Sequence, residues 1–183
     1  MPSLADTTVL NNFAQIRRPD LLRSAYPDLS APIPVWNELE LGVHRESVPA
    51  CDWSWLKILD LTEQEQAQAD EIGRDLGVGE AACIAAAVYR RLLMLSDDWA
   101  ARALGRSLGL EVSGSLGVLD RLVLKHVLSL DDPVVAKTRG CLPRKRFATR
   151  ASLQVFPAAG GVHPRWNPET EAWKAPNACS AEL

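Results

Sequence analysis

LGVGEAACIAAAVYRRLLMLSDD, residues 76–98, is the stretch whose reading decides the fold. Gly77 and Gly79 permit a tight turn before a helix. From Ala81 to Tyr89 the residues are almost all small or apolar, among them Cys83, Ile84 and Val88. Such a run favours a helix and suits close packing against a sheet. Glu80 stands in the first turn of that helix, where the helix dipole favours a negative side chain. Leu92 to Ser96 is short and continuously apolar, as expected of an interior parallel strand, and it runs into two adjacent aspartates, Asp97 and Asp98. One carboxylate that opens a helix and others that close the next strand form the outline of a metal site.

Upstream, Leu4 and Ala5 lead into Asp6, read as the end of a short strand. The helix that follows turns Val9, Leu10, Phe13 and Ile16 toward the core, with Thr7 or Thr8 able to cap it. Pro19 starts a second short helix. Residues 31–34 read as a strand entering a helix over 35–41, which Gly42 is expected to end. Glu38 and Glu40 on that helix point away from Val35 and Leu39, and one of them can reach a site. WLKILDL offers another strand, with Lys57 a surface residue, and residues 63–76 form a charged helix exposed on most sides. Downstream, a helix runs from Asp98 to Leu108 and stops near Gly109. A short strand follows at 110–112, and Gly114 introduces the apolar helix SLGVLDRLVLKHVL. Helices alternating with short strands predict an α/β fold, a three-layer α/β/α sandwich around a mostly parallel sheet.

A chain of 183 residues with 47% hydrophobic residues can bury one sizeable core. Charge divides it. Through Asp132 there are 12 Lys and Arg against 20 Asp and Glu; from Pro133 onward there are 8 against 3. We therefore read residues 1–132 as an acidic folded body and 133–183 as a basic, Pro- and Gly-containing extension, partly disordered. No apolar run approaches the length needed to span a bilayer, and no basic start precedes an apolar segment, so a cytoplasmic location with no membrane contact is expected. Four widely spaced cysteines suggest neither a zinc knuckle nor a disulfide scaffold.

In a parallel sheet the C-terminal strand ends share one rim, so Asp6, Asp97 and acids from neighbouring helices such as Glu80 and Glu38 can converge. Carboxylates gathered in one cleft repel one another unless a cation joins them. Oxygen ligands without an accompanying His or Cys set favour Mg²⁺ or Mn²⁺ over zinc.

ADTTVLNNFAQIRRPDLL resembles the opening of PIN domains, and PVWNEL resembles their second acidic motif. LGVGEAACIAAAV, followed by LMLSDDWAARALGRSLGLEVSGSLGVL, is similar to a bacterial and archaeal PIN branch related to VapC-type toxins. The resemblance covers residues 4–130. It implies a PIN-like fold in which Asp6, Glu38, Glu80 and Asp97 are the catalytic, metal-binding acids and Asp98 is an additional or substitute ligand. Thr7 or Thr8 would orient Asp6, Ser115 would occupy the hydroxyl position after the last strand, and Arg102 would pair with an acid or touch phosphate. The implied activity is metal-dependent hydrolysis of RNA by a toxin-like ribonuclease paired with an antitoxin, with a homodimer as a further expected assembly.

Carboxylates cannot attract a phosphate backbone, so a basic rim is needed. Candidates are Arg17, Arg18, Arg90, Arg91 and Arg102, with Arg139, Arg144, Lys145 and Arg146 in the extension. Two alternatives stand beside this reading. One is a non-catalytic PIN-like module that binds RNA or assembles with a partner. The other is a haloacid-dehalogenase-like phosphatase with Asp6 as nucleophile, which would want an aspartate where Thr8 stands.

Overall fold

The computed structural model describes residues 2–74, 76–132 and 134–135, and the backbone of 165–167 and 172–174. Five short strands, β1 (Ser3–Ala5), β2 (Leu29–Pro32), β3 (Lys57–Leu59), β4 (Leu93–Leu95) and β5 (Val112–Ser113), form one parallel sheet in the order β3-β2-β1-β4-β5. β1 pairs with β2 on one side and β4 on the other, in the registers Ser3 to Leu29 and Ser3 to Leu93. The chain thus builds outward from β1 in one direction, then crosses back to build in the other. All residues of β1, β2 and β4 are buried, which explains their unbroken runs of apolar and small residues.

Among the described residues seven helices connect and cover the sheet: α1 (Thr7–Gln15), α2 (Pro19–Ala25), α3 (Ile33–His44), α4 (Glu63–Ile72), α5 (Val78–Arg90), α6 (Trp99–Ser107) and α7 (Ser115–Leu124). α2 packs against α1 and α7, whereas α5 packs against α4, α6 and strands β1, β2 and β4. Right-handed crossovers place these two groups on opposite faces, because the direction of strand addition reverses at β4. The result is the expected α/β/α sandwich. α5 is the interior helix; Ala81, Ala82, Cys83, Ile84, Ala85, Ala86 and Ala87 are all buried. On the other face, Arg121 of α7 donates to the Ala25 carbonyl at the end of α2, and its guanidinium lies 4.6 Å from the Tyr26 ring centroid.

Several boundaries differ from the sequence expectation for identifiable reasons. β2 begins two residues earlier and ends at Pro32, whose extended backbone leads directly into α3 with Pro34 in the first turn, where no amide is required. Gly42 does not end α3. It lies inside the helix, and a Cβ there would meet Val48 Cγ2 at 2.6 Å, so its smallness serves the returning chain. α4 stops at Gly73, short of Leu76. α5 begins at Val78, so Gly79 belongs to its first turn rather than to the loop before it. α1 is capped by Asp6 itself, not by Thr7 or Thr8. α4 is exposed on most sides as expected, yet Glu65 is buried with 2% exposure.

The core continues past the last long helix through Leu128 and Val135. Residues 165–167 and 172–174 form a small antiparallel pair, β6 and β7, whose backbone register pairs Trp166 with Trp173. Arg139, Arg144, Lys145 and Arg146 lie outside the described residues. Among the described residues no helix is long and apolar enough to cross a membrane.

Candidate active site at the carboxyl rim of the sheet

β1 and β4 are neighbours at the point where strand order reverses, and in open parallel sheets the crevice at such a point is where ligands bind. Asp6 follows β1 directly and Asp97 follows β4 by two residues. Asp6 is fully buried. Its Oδ1 accepts from the Val9 amide at 3.0 Å, capping α1, and from the Thr8 hydroxyl at 2.7 Å. Its Oδ2 is buried and has no hydrogen-bond partner of regular geometry. Burial raises the Asp6 pKa, and the charge of Asp97 adds to the rise, while Ser96, Val9 and Thr8 oppose it.

Thr8 joins the two aspartates, since its Oγ1 also accepts from the Asp97 amide at 3.1 Å. The Asp97 carboxylate is held from three directions. Oδ1 accepts from the Ser115 amide at 2.9 Å, and Oδ2 accepts from the Ser115 hydroxyl and from Asn12 Nδ2 at 2.8 Å. Asn12 Nδ2 also donates to Ser115 Oγ at 3.2 Å. Gly114 is tight here, because a Cβ would collide with both Asp97 Oδ1 and Arg102 Nη1. Arg102 Nη1 donates to the Ser96 carbonyl at 2.7 Å, which brings its guanidinium to the Asp97 side of the rim.

Glu38 and Glu80 approach from α3 and α5. Thr7 Oγ1 donates to Glu38 Oε2, and the Gly79 amide donates to Glu38 Oε1 at 3.2 Å. A Cβ at Gly79 would stand 2.7 Å from Glu38 Oε2, so this glycine makes room for the carboxylate. Glu80 accepts from the Gly77 amide at 3.0 Å, an N-terminal helix contact that leaves its carboxylate on the crevice. Asp6, Thr7, Thr8, Asn11, Glu38, Gly77 and Glu80 line a single cavity of about 270 Å³. Beneath it, burial pushes the Cys83 thiol well up, and the charges of Asp6, Glu38 and Glu80 add to that effect.

Asp6, Thr7, Thr8, Glu38 and Glu80 thus meet in one cavity, with Asp97 and Ser115 joined to it through Thr8. Asp98 is engaged otherwise: its Oδ1 accepts from the Ala101 amide at 2.7 Å and caps α6. Asn12 escaped the sequence reading, although its position one helical turn after Thr8 on the same face is a readable signal. The other arginines of the body expected to form the basic rim do not join it. Arg18 pairs with Asp20. Arg90 pairs with Glu65 and donates to the Asp60 carbonyl. Arg17 and Arg91 lie at the far ends of α1 and α5, toward the opposite edge of the sheet.

Among the described residues no three or more His, Cys, Asp or Glu side chains are placed to hold one ion directly. The donor set nevertheless fits a hard, hydrated cation. It is composed of oxygens, it includes one buried carboxylate oxygen without a partner, and Mg²⁺ commonly takes one or two carboxylates while keeping its waters. The phosphatase alternative fits less well, since the position two residues after Asp6 is filled by Thr8, bonded to the carboxylate that would have to attack.

A search of curated proteins returns no match. Among solved structures, the chain is similar to PAE2754 from Pyrobaculum aerophilum, with a TM-score of 0.52 at 17% identity over 68% of this chain and 98% of that one. A toxin-antitoxin complex from Klebsiella pneumoniae aligns at 15% identity over 52% of this chain and 86% of that one, with a TM-score of 0.38. The first likeness concerns the fold. A family model described as a PIN domain matches residues 3–140, which takes in every strand of the parallel sheet and all the rim acids. The chain belongs to the PIN domain family.

Proposed function

We propose that this protein is a divalent-metal-dependent endoribonuclease, acting as the toxin-like member of a toxin-antitoxin pair. The observation that carries the reading is the meeting of Asp6, Glu38 and Glu80 in one cavity, with Asp97 tied to Asp6 through Thr8. Asp6, Glu38, Glu80 and Asp97 would hold Mg²⁺ or Mn²⁺. Bound there, the ion would lower the pKa of an attacking water and stabilise the leaving oxygen of a phosphodiester.

The residues around the acids have separate tasks. Thr8 fixes the Asp6 carboxylate, Ser115 and Asn12 fix that of Asp97, and Thr7 orients Glu38. Arg102, beside Asp97, is placed to balance charge on a phosphate at the rim. Asp98 sets the start of α6 and thereby the direction from which Arg102 arrives. Water attacks without a covalent protein intermediate, leaving a 5′-phosphate and a 3′-hydroxyl.

The test is cleavage of a pool of structured and single-stranded RNAs in Mg²⁺, Mn²⁺ or EDTA, comparing the intact protein with folded Asp6→Asn and Asp97→Asn variants. We expect cleavage that needs both the metal and both acids, and induction in a bacterial host that arrests growth only when Asp6 is intact. The second reading, a non-catalytic RNA-binding module, is favoured by the lack of a ready three-ligand set among the described residues. RNA binding with no cutting of any pool member in either metal would establish it and remove the nuclease.

A further inference from the structure

Trp99 is 76% exposed, the most exposed large hydrophobic side chain among the described residues. Nothing local requires it. It stands at the first position of α6, whose cap is supplied by Asp98, while the helix is anchored to the core through Ala101 and Gly105 on another face. Its place is distinctive, however. It lies two residues beyond Asp97, within about 8 Å along the chain of the rim acid.

The same helix face carries cations. Trp99, Arg102 and Arg106 follow one another at intervals of three and four, so they form a stripe running about 10 Å from the rim down the outside of α6. Arg102 is turned inward to the Ser96 carbonyl, while Arg106 is exposed. An aromatic plane followed by arginines is the combination that holds single strands, the ring receiving a base and the cations tracking the backbone. It also supplies what the acid rim lacks, since carboxylates alone repel a polyanion. A base within a duplex is already covered on both faces, so only an unpaired one can lie on the ring.

We propose that Trp99 is the stacking platform for an unpaired base next to the scissile phosphate, with Arg106 contacting the backbone leading away from it. This rests on the nuclease reading for its location, but its test does not need catalysis.

The full chain in EDTA is titrated into a 5′-fluorescein-labelled, unstructured 12-nucleotide RNA and followed by anisotropy. Trp99→Ala should weaken binding roughly 10-fold or more, and Trp99→Phe should stay within about 3-fold of the parent, given the usual worth of one stacked base. An abasic 12-mer should bind the parent and Trp99→Ala alike. Equal affinity of parent and Trp99→Ala for the base-containing strand would overturn the proposal, as would an equal loss on the abasic strand. So would a Trp99→Ala variant that keeps RNA affinity but loses a protein partner, which would make the ring a protein-docking residue. In Mn²⁺, Trp99→Ala should raise KM with little change in kcat; cleavage with an unchanged KM would overturn stacking while leaving the nuclease intact. A base-dependent loss of binding in a protein that never cuts RNA would do the reverse.

Discussion

The Asp6 carboxyl group is wholly removed from solvent, one oxygen engaged by Thr8 and Val9 and the other without a partner. Such a group is costly to bury in its charged form. Its pKa is raised above the 3.8 of a free aspartate, chiefly by burial, so its contribution to stability is complete below that value and is lost as pH rises through the raised folded value. At neutral pH the charged form opposes folding. Asp6→Asn keeps an oxygen to cap α1 and removes the charge, so it should stabilise the metal-free protein by about 1 kcal/mol, or ~2–4 °C in Tm, while ending cleavage. The gain should shrink toward pH 4, and Mg²⁺ should raise the Tm of the parent but not of the variant. A parent that outlasts Asp6→Asn in EDTA at pH 7 would contradict this account.

Gly79→Ala tests the opposite kind of residue, one that matters by being small. Its Cβ would press on Glu38, so we expect a normally folded protein whose cleavage falls about 10²-fold, a loss typical of a displaced reacting group. Asp6, Asp97 and Glu80 stood out in the sequence because they end a strand or start a helix, whereas Glu38, inside α3, has no such position. Asn12 and the tightness at Gly114 did not stand out, because Asn12 meets Asp97 and Ser115 from 85 and 103 residues away, and Gly114 is crowded by Asp97 and Arg102 on other elements.

Among the elements, α4 and α5 are joined by an ion pair at one end and small residues along their length. Arg90 donates to both oxygens of Glu65, and these hydrogen bonds, against the opposing effect of burial, hold the Glu65 pKa below the usual carboxylate value. The same Glu65 accepts from the Thr62 amide, so one carboxylate serves a capping box and an interhelix bridge. The pair contributes stability above the ordinary glutamate pKa, lost as pH falls through the lowered value. Arg90→Met should cost roughly 2 kcal/mol, since it leaves a buried carboxylate with one amide for company. Chemical denaturation would show it, and an unchanged midpoint would mean that solvent replaces the arginine. Here the sequence was half legible. Thr62 and Glu65 form a readable capping box, but α4 looked merely solvated because the partner, Arg90, lies on another helix. Helix α5 was plain from its apolar run, whereas the ends of β2 and α3 were blurred by prolines that serve a strand end and a helix start equally well.

Over the whole molecule, the sandwich follows from the alternation of short apolar strands with helices, but the strand order does not. Nothing in Leu4 or Leu95 by itself says that β1 and β4 are neighbours; that comes from the return of the chain after β3. Because Val135 is in the core, we expect a chain ending at 140 to fold and to cleave RNA, whereas one ending at 127 should be unstable, having lost Leu128 and Val135. Removing 141–183 also removes Arg144, Lys145 and Arg146. If these residues touch phosphate, the shortened protein should bind RNA more weakly, with a salt dependence shallower by up to three phosphate contacts. An unchanged salt dependence would make the basic cluster irrelevant to RNA.

The Thr8 link to Asp97 joins residues 89 apart, and the Asn12 contact with Ser115 joins residues 103 apart. A polypeptide still being synthesised therefore carries Asp6 out of the ribosome long before its companions exist. Until Ser115 has emerged, the nascent chain lacks the hydrogen bonds that assemble this centre. If the protein cuts RNA as we propose, the crossing from β3 back to β4 leaves it inert until most of its sequence has been translated.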